Sequence, residues 1–186
     1  MAQAEVKKTI ALAVGEKSSS IMLYSPTNLI RGEVVTTEAM RVSTWLRTPA
    51  APEYVQIHNA QVLLLGVSGP AQSLFFQEYY IPTGQVSAYH LVPPAVDPFD
   101  YDPSEPNRKL ELVTVLVGGF RFHGSLRMAS QTDLSKYLDL TREPFITVYD
   151  VDIANPSIPG MGLIHVAMVL VRSRAVTVAA RVGTAV

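Results

Sequence analysis

The sequence predicts a mainly β protein made of two tandem small β-barrels, each with one short inserted helix, the two related by a pseudo-twofold. Three observations carry that prediction. Short runs rich in β-branched and aromatic residues recur along the chain, each closed off by Pro, Gly, Ser or Asn. Only two stretches inside these runs carry a helical period, and each is roughly two turns long. The pattern is also written twice. Gly32-Glu33-Val34, Arg41 to Leu46 and Tyr54 to Val62 return in the same order as Gly124-Ser125-Leu126, Asp133 to Leu138 and Phe145 to Ile153.

Residues 1–20 form an arm with helical composition at 5–12 and a closing serine run, which reads as a helix, an added strand or a disordered arm. The first copy, 21–92, has expected strands at 21–24, 29–35, 54–65, 74–81 and 85–92. Its helix lies at about residues 41–47, where Val42, Trp45 and Leu46 share a face, and Pro49 and Pro52 bar any extension. Residues 93–109 are a linker, and positions 93–107 hold five prolines and four carboxylates. Such a segment is a stiff, extended connection or an arm laid over a neighbour. The second copy, 110–186, repeats the strands at 110–117, 119–128, 145–153, 164–171 and 175–180. Its helix at 133–140 places Leu134, Tyr137 and Leu138 on one face, and Ser130 with Asp133 resembles a capping box.

Five strands with a helix between the second and third fit a small SH3-like or Sm-like barrel. Each copy has about 70–75 residues, enough to close over a modest core. Gly32/Gly124, expected at a turn, Ser43/Ser135 and Leu46/Leu138 are identical at an offset of 92. Arg41-Val42-Ser43-x-Trp45-Leu46 with Tyr54 to Ala60, and Leu134-Ser135-x-Tyr137-Leu138 with Phe145 to Val151, form a helix-then-strand motif. The motif resembles that of a bacterial small-barrel family, without an assigned activity, reading roughly Arg-Leu-Ser-Asp-Tyr-Leu-Asn and then Phe-Leu-x-Leu-x-Asp-Val. Thr44 and Lys136 stand where that family has Asp, and Arg47 and Asp139 where it has Asn. The resemblance implies a small barrel and brings no catalytic residue with it.

Composition narrows the function. Only 17% of the 186 residues are charged, against roughly 25% in soluble domains, so apolar surface is expected to meet a partner. The net charge of −1 supplies no basic field for nucleic acid. The absence of cysteine excludes disulfides, thiolate metal sites and a cysteine nucleophile. The apolar run at 9–14 is shorter than a secretory core, and no stretch approaches the ~18 apolar residues of a transmembrane helix. A soluble cytoplasmic protein is the expectation.

The search for chemistry returns little. His58, His90, His123 and His165 form no H-x-H or H-x₃-H pair. Asp97, Asp100, Asp102 and Glu105 are oxygen donors, but without the ligand order or glycine of a calcium loop. The glycine-rich 156–162 lacks the Lys-Ser or Lys-Thr of a phosphate cradle, and no Gly-x-Ser-x-Gly elbow occurs. No enzyme activity, cofactor or metal is expected. The runs 63–65, 74–76 and 166–171 are apolar at successive positions, as in strands covered on both faces. The reading is a non-enzymatic structural or protein-interaction module, a homo-oligomer or an accessory subunit of a larger complex. Its anchors are Trp45 and Tyr137 on the helices and Phe75, Phe76, Tyr79 and Tyr80 on one strand. The alternatives are a nucleic-acid-binding barrel using the cations Arg108, Lys109, Arg121, Arg127, Arg142, Arg172, Arg174 and Arg181, or a small-ligand pocket between the copies.

Overall fold

The computed structural model describes residues 7–48, 51–65 and 72–180. The chain divides into two compact units, Met1–Val92 and Pro93–Val186. In the first, β1 (Glu16–Tyr24), β2 (Asn28–Thr37), α1 (Val42–Arg47), β3 (Tyr54–Leu64), β4 (Gln72–Pro82) and β5 (Ala88–Leu91) follow one another, with a 3₁₀ turn at Thr83–Gln85 before β5. The second contains β6 (Arg108–Val117), β7 (Phe120–Ala129), α2 (Leu134–Leu140), β8 (Phe145–Ala154), β9 (Ile164–Arg172) and β10 (Thr177–Ala180), with a 3₁₀ turn at Pro159–Met161. The helices fall where the helical period places them and each strand overlaps an expected run, but β1 begins at Glu16, inside the expected arm, and β5 begins only at Ala88, not at residue 85.

The strand order is β5-β1-β2-β3-β4 within the first unit and β10-β6-β7-β8-β9 within the second, and the ladders are antiparallel. The expected closed barrels are corrected to open sheets: among the described residues no ladder joins β4 to β5 or β9 to β10. The four-residue β5 is paired along its whole length with β1, and the turn at Thr83–Gln85 carries the chain away from β4.

Gly32 and Gly124 are not turn residues, as the sequence suggested, but lie inside β2 and β7. Each marks a register shift against the next strand, between Arg31 and Glu33 and between His123 and Ser125. A Cβ on Gly32 would collide with the Ile57 side chain and stand 2.9 Å from the His58 carbonyl oxygen. One on Gly124 would lie 2.8 Å from the Tyr149 carbonyl oxygen. Opposite them, Asn59 (φ 50°) and Asp150 (φ 53°) take the left-handed conformation that Asn and Asp tolerate best among side-chain-bearing residues. Both units thus carry the same bend: a glycine without room for a side chain, faced by an extra Asx residue.

The bends change which residues face the core. Val55 and Ile57 are buried before Asn59, and Ala60 and Val62 after it. In α1, Val42 and Leu46 are buried and Trp45 half-buried, whereas Leu134, Tyr137 and Leu138 of α2 are all only half-buried. Asp133, rather than Ser130, caps α2 by accepting a hydrogen bond from the Lys136 amide at 2.8 Å. Residues 7–13 are neither helix nor strand. Lys8 is held by Asn59, whose side chain accepts from the Lys8 amide (2.8 Å) and donates to the Lys8 carbonyl (2.9 Å).

Candidate functional site

The strongest candidate is strand β4. Its described ladder is with β3 alone, and it stands at the end of its unit's strand order. Residues opposite one another across a ladder share a face. Tyr79 and Ile81 lie opposite the buried Ile57 and Val55, and Phe76 and Leu74 opposite the buried Ala60 and Val62. Leu74, Phe76, Tyr79 and Ile81 therefore share the core-side face. Ile81 is buried, but Leu74 and Phe76 remain 40% and 39% exposed because nothing among the described residues continues the sheet beyond them. On the other face Phe75, Glu78 and Tyr80 lie opposite Gln61, His58 and Gln56, and Tyr80 is 53% exposed. The Phe76 and Tyr79 rings tilt against each other with centroids 5.6 Å apart.

The sequence-predicted anchors thus separate. Phe75, Phe76, Tyr79 and Tyr80 come together on this one edge. Trp45 sits half-buried on α1 of the same unit, and Tyr137 half-buried on α2 of the second. In the second unit the corresponding strand, β9, buries Val166 and Met168 to Val171. Residues 66–71 and 181–186, the latter with Arg181 of the cations considered for nucleic acid, lie outside the described residues.

Beside β4 the outer face carries a hydrogen-bonded chain. Gln56 Nε2 donates to the Tyr80 hydroxyl (3.0 Å), which donates to Glu78 Oε2 (3.0 Å), and Lys8 Nζ donates to Glu78 Oε1 (3.3 Å). The Tyr80 bond and the Lys8 charge hold the Glu78 carboxyl below its ordinary range, and the same carboxylate pushes the Tyr80 hydroxyl up. A groove of about 460 Å³ opens between the Lys8–Ala11 segment and the outer faces of β2, β3 and β4, lined also by Glu16, His58 and Gln77. Its carboxylates already have partners: Glu78 holds Lys8, and Glu16 accepts from the Ala13 amide.

In the second unit the supposed linker is a strap on its own sheet. Asp100 accepts hydrogen bonds from the hydroxyls of Thr147 (3.1 Å) and Tyr149. Phe99 and Tyr101 each pack edge-on with Tyr149 and lie tilted against each other, and the Arg127 guanidinium lies 4.4 Å over the Tyr101 ring and 2.6 Å from Glu105. Asp102 binds the amide and hydroxyl of Ser104. Three of the four linker carboxylates thus close the strap. The same contacts occupy cations considered for nucleic acid: Arg108 and Arg127 bind Glu105, and Arg172 covers the Phe145 ring at 4.5 Å.

One polar constellation was invisible in the linear spacing. Thr114, His123, Asp152 and His165 stand opposite one another across β6, β7, β8 and β9, forming one row. His165 Nδ1 donates to Asp152 (3.0 Å) and its Nε2 lies 3.4 Å from Asp150, while His123 Nδ1 bonds the Thr114 hydroxyl (2.9 Å). Among the described residues no group of three or more His, Cys, Asp or Glu side chains is disposed to hold a metal ion. No helix in them is long and apolar enough to cross a membrane. Comparison with protein-family models, curated proteins and solved structures finds no match to this chain.

Proposed function

We propose that this chain is a non-enzymatic protein-interaction module, built on an open form of the small SH3-like or Sm-like barrel, that engages its partner by adding a strand to β4. The observation that carries the reading is the exposure of Leu74 and Phe76 on the core-side face of an eleven-residue end strand. A free edge strand normally carries protection: lysines, inward charges, a central proline or extreme shortness. Here the one charge is Glu78, already neutralised by Lys8, and the proline is the last residue, Pro82. Strand addition would satisfy the outward main-chain groups and cover both apolar faces at once.

The test is the size of the full chain, tagged and run in native extract of its source cells, against Phe76→Lys and Tyr80→Lys. The native chain is expected in a larger complex that both variants leave. A native chain that runs as a 20.3 kDa monomer in extract and in purified form overturns the proposal.

A further inference from the structure

Resting on the strand-addition reading, we propose that the added strand is β4 of a second copy of this chain, antiparallel to the first across a two-fold axis between Gln77 and Glu78. A two-fold interface requires a surface that is its own complement. The centre of β4 is such a surface: Leu74-Phe75-Phe76-Gln77 and, read backwards from the other end, Ile81-Tyr80-Tyr79-Glu78. Each aliphatic matches an aliphatic, each aromatic an aromatic, and an amide matches a carboxylate. The strand is a chemical palindrome.

The geometry has the same symmetry. In a regular strand, strict alternation would put Phe76 and Tyr79 on opposite faces, and a two-fold between residues 77 and 78 would oppose core-side to outward positions. In β4 the alternation breaks at Gln77, where the β3–β4 ladder skips one pair between His58–Glu78 and Ala60–Phe76. Leu74 and Phe76 before the break and Tyr79 and Ile81 after it all share the core-side face. About the proposed axis, Phe76 then meets Tyr79 of the partner copy and Leu74 meets Ile81 of the partner copy, all on the core side. Phe75 meets Tyr80 of the partner copy on the outer side.

Charge permits this pairing. Glu78 stands opposite the Gln77 amide of the partner copy rather than a second Glu78, and each carboxylate already holds its own Lys8. The equivalent strand of the second unit, Ile164-His165-Val166-Ala167-Met168-Val169-Leu170-Val171-Arg172, has no aromatic residue and is buried at Val166 and Met168 to Val171, so the exposed aromatic matches of β4 have no counterpart there. The self-complement belongs to β4 and was not part of what the duplication kept.

The chain contains no cysteine, so single cysteines report pairing without background. Gln77→Cys is expected to form a covalent dimer under mild oxidation, as is the double variant Phe75→Cys/Tyr80→Cys. Ser73→Cys is not, because the two Ser73 positions would lie about 30 Å apart at ~3.3 Å per residue. Light scattering of the purified chain should give a dimer at micromolar concentration, with Phe76→Lys and Tyr80→Lys each weakening it at least about tenfold while circular dichroism stays native. Equal cross-linking at Ser73 and Gln77, or a dimer insensitive to both lysines, overturns the self-pairing. A purified monomer that still joins a β4-dependent complex in extract overturns it too, but leaves the strand-addition reading standing. A monomer under both conditions removes both.

Discussion

At Gly32 and Gly124 there is no room for a β-carbon, and the obstacle includes main chain, which cannot rotate away. Gly32→Ala or Gly124→Ala is expected to destabilise its unit by about 1–3 kcal/mol, measured by urea unfolding; a change below about 0.5 kcal/mol would mean that the bend relaxes freely. These glycines are visible in the sequence as a repeat, but periodicity alone cannot separate a turn glycine from one required by close approach. The sharper signal was Asn59 and Asp150, Asx residues inside β-rich runs in both copies. His90 supplies a second residue-scale test. Its Nδ1–H donates to the Leu91 carbonyl at 2.7 Å, so Nε2 accepts from the Tyr24 hydroxyl at 3.0 Å, and the ring is buried neutral. Burial lowers its pKa to about 4, from an ordinary value near 6.5. Above pH about 6.5 both folded and unfolded chains hold a neutral ring, and no stability is lost. As pH falls from about 6.5 towards 4, only the unfolded chain takes up the proton, and stability should drop by up to about 3 kcal/mol. His90→Phe should flatten that part of the pH–stability curve. An unchanged slope would place the titration elsewhere.

Among the elements, the two helices show how local signals translate. Both were legible from an i, i+3, i+4 apolar face, yet they differ in how their ends are held. Asp133 caps α2 with its side chain, whereas Arg41 at the head of α1 makes no side-chain cap. Asp133→Ala is expected to cost about 1 kcal/mol, and Arg41→Ser to add up to about 1 kcal/mol, since the backbone there is already extended; thermal unfolding reads both signs. The strap was less legible. Its prolines and carboxylates read as a solvated linker because the partners of Asp100, Thr147 and Tyr149, lie 47 and 49 residues further on. Arg127 joins ring stacking to an ion pair at only 14% side-chain exposure. Arg127→Ala should therefore speed chymotryptic cleavage at Phe99 and Tyr101 several-fold, and an unaltered rate would show that the aromatic cluster holds the strap alone.

At the level of the whole molecule, a chain with few charges and a neutral apolar edge is expected to associate by burial rather than by charge. Association through β4 should change less than about threefold between roughly 0.05 and 0.5 M salt, because no net charge is neutralised there. A steep fall with salt would instead point to a polyanion on the remaining cations. The candidate edge was half visible in advance. The apolar run Leu74-Phe75-Phe76 and the neighbouring tyrosines marked β4 as a contact surface, but the sequence grouped them with Trp45 and Tyr137, which the fold half-buries on the helices of different units. The sequence by itself determined which segments are strands, their order, and that the order occurs twice, because alternation, turn residues and repeat spacing are local properties. Only the tertiary structure decided that the sheets stay open, that facing changes over at Asn59 and Gln77, and that β4 is left without a described neighbour beyond β3. Those outcomes depend on ladder register and burial, which are set by residues tens of positions away along the chain.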